Sequence, residues 1–434
     1  MTAVAIVGGG AAGALQALHL KAAGLSDVVL IERAMIPGRG VAYSTRRAEH
    51  LLNVPARRMS ALAGDLDHFS RWYAERAGGT DEDFAPRMIY GDYIAGLLYE
   101  AEIPTIEGEA VDIAEGAAIL ADGRRIPADR YVLAPGNFKP ATPPGIDPEA
   151  LGPLWVADPW AEGIAEGLGE GDIVLLLGTG LTAVDVALTL EALGFPGRIV
   201  ALSRRGLAPR AHGPREPVVA PVEALEPSCT KMLRRVRRRS AEVGWRSAVH
   251  ELRTVTQDLW VAASEGEKSR FLRHLRAWWD VHRHKIAPAV GETLETMQSA
   301  ARLSVAAGRI VSIEREEDHA LVRFRARGSD AVEAMRVARI VNCTGPELDI
   351  VRSGEPLLLN LLAAGRIRPD PLKVGVEVDL DCRAVGADGA SADDLYVIGP
   401  LTRGTFWESV AVPDIRTQAV KVAGRIAAKP SLRA

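Results

Sequence analysis

Cysteine is scarce in this chain. Its three cysteines, Cys229, Cys343 and Cys382, lie far apart and form no C-x-x-C. That pattern suggests neither a dithiol redox centre nor a cysteine zinc site. A sparse, odd count suits a reducing compartment, so a cytoplasmic location is expected. Long apolar runs are also missing, which leaves no segment able to span a membrane. The N-terminus lacks the basic start and cleavage site of a signal peptide. Charge of one sign is missing too: a net charge of −4 offers no general attraction to nucleic acid or to an anionic membrane. What remains is ordinary globular composition, and 434 residues exceed what one core holds, so two or three domains are expected.

Glycine is placed with purpose. The opening stretch TAVAIVGGGAAGAL runs from a β-branched strand into a turn and then into good helix formers. Gly8, Gly10 and Gly13 occupy the three positions of G-x-G-x-x-G. Gly8 permits the tight turn, Gly10 lets a pyrophosphate approach the backbone, and Gly13 lets the helix pack on the strand. The helix N-terminus then offers unpaired N–H groups and the positive end of its dipole. A second strand, 28–31, ends in Glu32, about 20 residues past the turn, where a carboxylate accepts from ribose hydroxyls.

The pattern recurs at Ile173–Ala183. Gly178 and Gly180 open another strand-turn-helix, with Ala183 in the third position. The strand that follows ends in Ser203-Arg204-Arg205. Where a carboxylate would accept from a free 2′-hydroxyl, two guanidiniums stand. Arginine grips a 2′-phosphate through paired, charge-assisted hydrogen bonds, so NADPH is expected in preference to NADH.

Between the two fingerprints, 36–44 reads as an irregular loop and 66–102 as mostly helical. The segment 118–126 reads as a small hairpin, 131–133 as a returning strand, and the Pro- and Gly-rich 140–153 as a linker. His50 and Asn53 are polar groups in an apolar setting. They either satisfy local backbone groups or contact a flavin ring or substrate. Beyond the second unit, 207–221 is rich in proline and glycine. The stretch from about 227 to 290 is helical, basic and tryptophan-bearing. Its arginine run at 234–239 reads as a solvated helix face, and nucleic acid is not expected as a partner. His274, His282 and His284 do not place three ligands on one helix face, and no metal is expected. This insert is expected to cover the active site and supply substrate specificity. Short strands follow at 309–310, 321–324 and 339–341. A last strand enters the turn Gly399-Pro400, and a helix over 414–428 closes the chain.

The stretches GGGAAG (8–13), GRGVAY (38–43), HLLNVPA (50–56) and IGPLTRGTFWE (398–408) give the chain a domain-wide resemblance. It resembles the two-dinucleotide-binding-domain flavoproteins, and more narrowly the FAD/NAD(P)-binding family that includes the bacterial YdhS-like proteins. The fold this implies is α/β, with two Rossmann-like dinucleotide-binding domains, the second inserted into the first, and a helical insert. The expected boundaries are 1–150 for the first part of the FAD domain and 151–345 for the NAD(P)H domain with its insert at about 225–300. Residues 346–434 complete the FAD domain. By resemblance, FAD is held by Gly8, Gly10, Gly13 and Glu32. Arg39, Gly40, Tyr43, His50 and Asn53 run along the flavin, and Gly399 and Pro400 lie near its ring. Gly178, Gly180, Ala183, Ser203, Arg204 and Arg205 serve NADPH. One departure is that the usual A-T-G return is Ala134-Pro135-Gly136 here, and Cys343-Thr344-Gly345 later.

Characterised relatives of this broad family include N-hydroxylating monooxygenases and an FAD-dependent urate hydroxylase. The resemblance therefore implies a single-component monooxygenase that hydroxylates a small polar substrate, an amine, amino acid or purine, with O2 through a flavin hydroperoxide. Asn53, Trp407 and Glu408 are the candidates for the substrate face, with Arg39 or Arg403 able to pair with an anion. The alternatives are an NADPH-dependent reductase of an organic acceptor that makes no use of O2, and a flavin-binding protein without turnover. Oligomeric state is not legible.

Overall fold

The structure is a computed structural model that describes residues 2–34, 36–213 and 225–428. Two parallel sheets dominate it. In the first, strand Val4–Val7 lies between Val28–Glu32 and Arg130–Leu133. Thr105–Glu107 extends one side, and Ser391–Val397 extends the other, all in parallel. Arg383–Val385 adds an antiparallel edge. This sheet is thus assembled from two distant parts of the chain, up to residue 133 and from residue 383. The second sheet repeats the arrangement. Ile173–Leu177 lies between Arg198–Ser203 and Arg339–Asn342, with Leu303–Glu316 and Trp155–Val156 outside them. Each central strand is apolar along its length because both faces of its sheet are covered, one by helices and the other largely by antiparallel strands.

The turn after each central strand is closed by the same approach. Gly8 (φ +103°) and Gly178 (φ +124°) lie where an added Cβ would stand 2.3 Å from the carbonyl oxygens of Ala134 and Cys343 respectively. Only glycine fits there. The two departures from A-T-G preserve the contact because it is made by backbone, which leaves the neighbouring side chain free to vary.

Several elements differ from expectation. The segment 36–44 holds a helical turn, Gly40–Tyr43, whose single turn is too short for periodicity to reveal. The hairpin is a three-stranded sheet of Ala110–Ala114, Ala117–Leu120 and Arg125–Pro127. The short strand at 309–310 belongs to one strand of 14 residues, Leu303–Glu316, which pairs in parallel and then continues into an antiparallel meander. Part of the expected Pro- and Gly-rich stretch, 214–221, lies outside the described residues. Helix Ala11–Ala22 is buried almost all round, between the sheet and helix Val412–Ala427. Gln16 Nε2 donates to the Ala419 carbonyl across that contact (3.3 Å).

The insert comprises the long helix Cys229–Arg253, which is broken at Gly244 (φ +79°), then Thr256–Ala262, Glu265–Arg270, a π-helical turn Phe271–Leu275, and Arg276–Arg283. It docks on the chain's 404–414 stretch. Trp260 Nε1 donates to the Gly404 carbonyl (2.9 Å), and Gln257 Nε2 to that of Thr405 (3.3 Å). The ring of Trp407 lies 4.8 Å from Trp260 and 5.3 Å from Phe271. Such aromatic pairs add about 0.5–1.5 kcal/mol each beyond the area they bury. Among the described residues no helix is long and apolar enough to cross a membrane.

Candidate functional site

A cavity of about 1590 Å³ runs between the first unit, the second unit and the insert. That exceeds the roughly 300–1,000 Å³ of an ordinary small-ligand pocket, and suits a dinucleotide with a substrate beside it. Its wall includes Gly8, Gly10 and Glu32 with Arg39, Gly40, Tyr43, Asn53 and Pro400, Leu181 and Thr182 of the second unit, and part of the insert.

The first fingerprint provides a cradle. Helix Ala11–Ala22 begins at Gly10 with no side-chain cap, so its first N–H groups face the cavity unsatisfied by the helix itself. Gly13 would place a Cβ 1.9 Å from the Gly8 carbonyl oxygen, so its role is close packing of helix on turn. The Gly38 N–H donates to the Gly9 carbonyl (2.6 Å), and Gly40 (φ +54°) faces Gly10, where a Cβ would lie 3.1 Å from the Gly10 Cα. The glycine loop therefore lies against the fingerprint turn. Glu32 accepts from the N–H groups of Gly9 (2.6 Å) and Ala34 (2.9 Å), which holds its carboxylate at the end of the strand, on the cavity wall. These features fit a dinucleotide: narrow glycine backbone, an uncapped helix start and a positioned carboxylate.

Arg39 is ion-paired with Asp92. Tyr43 packs edge-on against Tyr90 (4.8 Å), and burial pushes its phenol up to about 12. Asn53 lines the cavity, and its carbonyl is hydrogen-bonded by the His212 ring (2.9 Å). Gly399 (φ +74°) donates to Gln418 Oε1 (3.0 Å) and packs on Ala12, while Pro400 reaches the cavity wall.

Other expected residues stand elsewhere. His50 does not line the cavity. Its Nδ1 meets Thr45 Oγ1 (2.9 Å), and its Nε2 meets the Asp185 carbonyl (3.1 Å) and Thr189 Oγ1 (3.0 Å). The imidazole instead joins the first unit to helix Leu181–Ala192, because a buried ring nitrogen needs a partner and that helix supplies two. Beside it Arg87 pairs with buried Asp185 (2.8 Å). Trp407 and Glu408 are buried under the insert, off the cavity wall. Arg403 stacks on Trp407 (4.5 Å), and Glu408 pairs with Arg283 (2.8 Å). Desolvation lowers the pKa of Arg283 from its ordinary value, opposed by the Glu408 charge.

The second fingerprint has the same backbone as the first, and Gly180 also caps its helix without a side chain. Gly178, Gly180, Ala183, Ser203, Arg204 and Arg205 lie off the wall of the large cavity. Ala183 is buried in the core of the second unit. Ser203 Oγ is hydrogen-bonded with Thr179 Oγ1 (2.9 Å) and accepts from the Gly206 N–H (3.0 Å). Arg204 is exposed. Arg205 donates to the carbonyls of Arg273 (3.2 Å) and His274 (3.3 Å) in the insert. His282 and His284 line the cavity without forming a cluster with other metal-binding side chains among the described residues.

Residues 5–138 match a family model described as FAD-NAD(P)-binding. FAD and NAD(P)H are therefore the cofactors. No curated protein matches the chain. Solved structures with the same fold include an ornithine hydroxylase of Pseudomonas aeruginosa, at 14% identity and a TM-score of 0.68 over 98% of this chain and 99% of the other. An L-lysine 6-monooxygenase of Pseudomonas syringae gives 18% and 0.67 over 98% of both chains. An ornithine N-hydroxylase of a Kutzneria species gives 16% and 0.67 over 98% and 99%. At these identities the likeness is one of fold.

Proposed function

We propose that the chain is an NADPH-using, FAD-dependent monooxygenase acting on a small polar substrate, an amine, amino acid or purine. The observation that carries this reading is the single cavity. It joins the fingerprint cradle at Gly8 and Gly10 to the start of the second unit's helix and to the polar face of the insert. A flavin held in that cradle, a nicotinamide arriving from the second unit and a substrate held by the insert would share one volume. The solved structures of the same fold that are named as hydroxylases and monooxygenases favour the same reaction class.

The flavin would supply hydride acceptance and oxygen activation. The balance is NADPH, O2, a proton and substrate going to NADP+, water and hydroxylated substrate. This chain's residues would do the rest. Gly8, Gly10 and Glu32 hold the dinucleotide, Arg39, Tyr43 and Asn53 shape the wall beside it, and the docked insert excludes water. Arg204 would meet the 2′-phosphate.

The test is stopped-flow mixing of NADPH-reduced holoenzyme with O2. A transient absorbing species distinct from oxidised and reduced flavin, followed by hydroxylated product, is expected. Immediate reoxidation with stoichiometric hydrogen peroxide would identify a reductase instead. No reduction by NADPH would identify a binding protein.

A further inference from the structure

The insert's contribution to the cavity wall is one-sided. Among the described residues between 225 and 300, eight line the cavity; seven are basic and the eighth is Val249. Part of the fixed charge is already balanced. Arg283 is engaged with Glu408 and Arg253 with Asp414. Across the cavity Asp185 is engaged with Arg87. His284 is driven down to about 3 by burial and by the surrounding guanidiniums, so it is neutral.

Arg246 is different. It lines the cavity, yet among the described residues no carboxylate pairs with it. Its guanidinium lies over the Trp245 ring, 4.5 Å from the centroid. One Nη2 donor reaches the Ala211 carbonyl (3.2 Å). Its Nε is buried without a partner among the described residues. A buried unsatisfied donor is costly, more so when charged, and an anionic oxygen relieves that cost. The planar guanidinium, backed by an aromatic ring, keeps Nη donors beyond the one given to Ala211 for an anionic oxygen. Its position is tied to the rest of the site: Ala211, which receives Arg246, precedes His212, whose ring bonds the carbonyl of Asn53.

Resting on the monooxygenase reading for what the cavity holds, we infer that Arg246 anchors an anionic oxygen group of the substrate. The substrate is thus an acid, a carboxylate or a phosphate monoester, held by the insert with its reacting end toward Asn53. The rival source of the same chemistry is a phosphate of the nicotinamide dinucleotide.

Crystals of the FAD-loaded protein soaked in sodium bromide separate these. An anomalous peak at Arg246 is expected, retained when NADP+ is bound and displaced by acetate but not by acetamide. In Arg246→Gln its occupancy should fall at least about tenfold, the loss of one charge-assisted pair, and Arg246→Lys should restore part of it. No bromide at Arg246, or an unchanged peak in Arg246→Gln, overturns the inference. So does displacement by NADP+, which would assign the site to the dinucleotide. Bromide binding requires no turnover. Its failure leaves the monooxygenase reading standing, and a flavin that never hydroxylates leaves the bromide result standing.

Discussion

Arg205, at the tip of the second unit's strand Arg198–Ser203, donates to the His274 carbonyl in the insert (3.3 Å). Of the two guanidiniums that follow the second fingerprint, one therefore already holds protein and the other, Arg204, is exposed. The proposed NADPH preference divides accordingly. A charge-assisted hydrogen bond contributes about 1.5–3 kcal/mol, or about ten- to hundredfold in kcat/KM. Arg204→Ala should lower kcat/KM for NADPH by that factor and leave NADH nearly unchanged. Arg205→Ala should cost less. Steady-state kinetics with both nucleotides decide it, and equal use of NADPH and NADH by the parent protein refutes the preference.

Gly13 tests the cradle. An added Cβ would lie 1.9 Å from the Gly8 carbonyl oxygen, a distance that only backbone displacement can relieve. Gly13→Ala should open the turn and lose FAD. Flavin content after gel filtration should drop several-fold relative to the parent, while Gly424→Ala, on an open helix face, should retain it. Full flavin content in Gly13→Ala would show that the turn yields cheaply.

The pairing of Glu408 with Arg283 implies a stability role. Removing one partner of a buried ion pair leaves an uncompensated charge and costs about 3–5 kcal/mol. Glu408→Ala should lose stability on that scale, and pairing it with Arg283→Met should recover most of the loss. Chemical unfolding of the holoprotein across the double-mutant cycle measures this. Additive losses would show that the two side chains act independently.

His284 makes the fold acid-sensitive. Burial, reinforced by Arg283, Arg403, Arg276 and Arg253, lowers its imidazole from 6.5 to about 3. Between those values the unfolded chain takes up a proton that the folded chain refuses. Stability is full above about 6.5 and falls as pH drops through the window, by up to about 1.4 kcal/mol per pH unit for one proton. His284→Gln should flatten the decline between about pH 7 and about pH 5. Unfolding midpoints that decline equally in parent and variant would assign the sensitivity to other groups.

Sequence alone determined what local chemistry dictates. The turn at Gly8 and its counterpart at Gly178 are demanded by backbone conformation and close approach, so both fingerprints, their strands and their helices could be read residue by residue. The closing strand was legible only at its apolar end, 395–398; its polar start at Ser391 was not. Its place beside Arg130–Leu133 was expected only by resemblance. Tertiary structure decided which polar side chains face open space. His50 and Glu408 stand in motifs that suggested a flavin or a substrate, yet both are turned to protein partners, Asp185 with Thr189 and Arg283. Those partners come from 135, 139 and 125 residues away, beyond the reach of any local pattern. Arg246 shows the converse. In the chain it is one arginine among many on a basic helix. Only folding brings it over Trp245, next to Ala211 and onto the wall of the cavity, because burial and charge balance are properties of the assembled surroundings and of no single stretch.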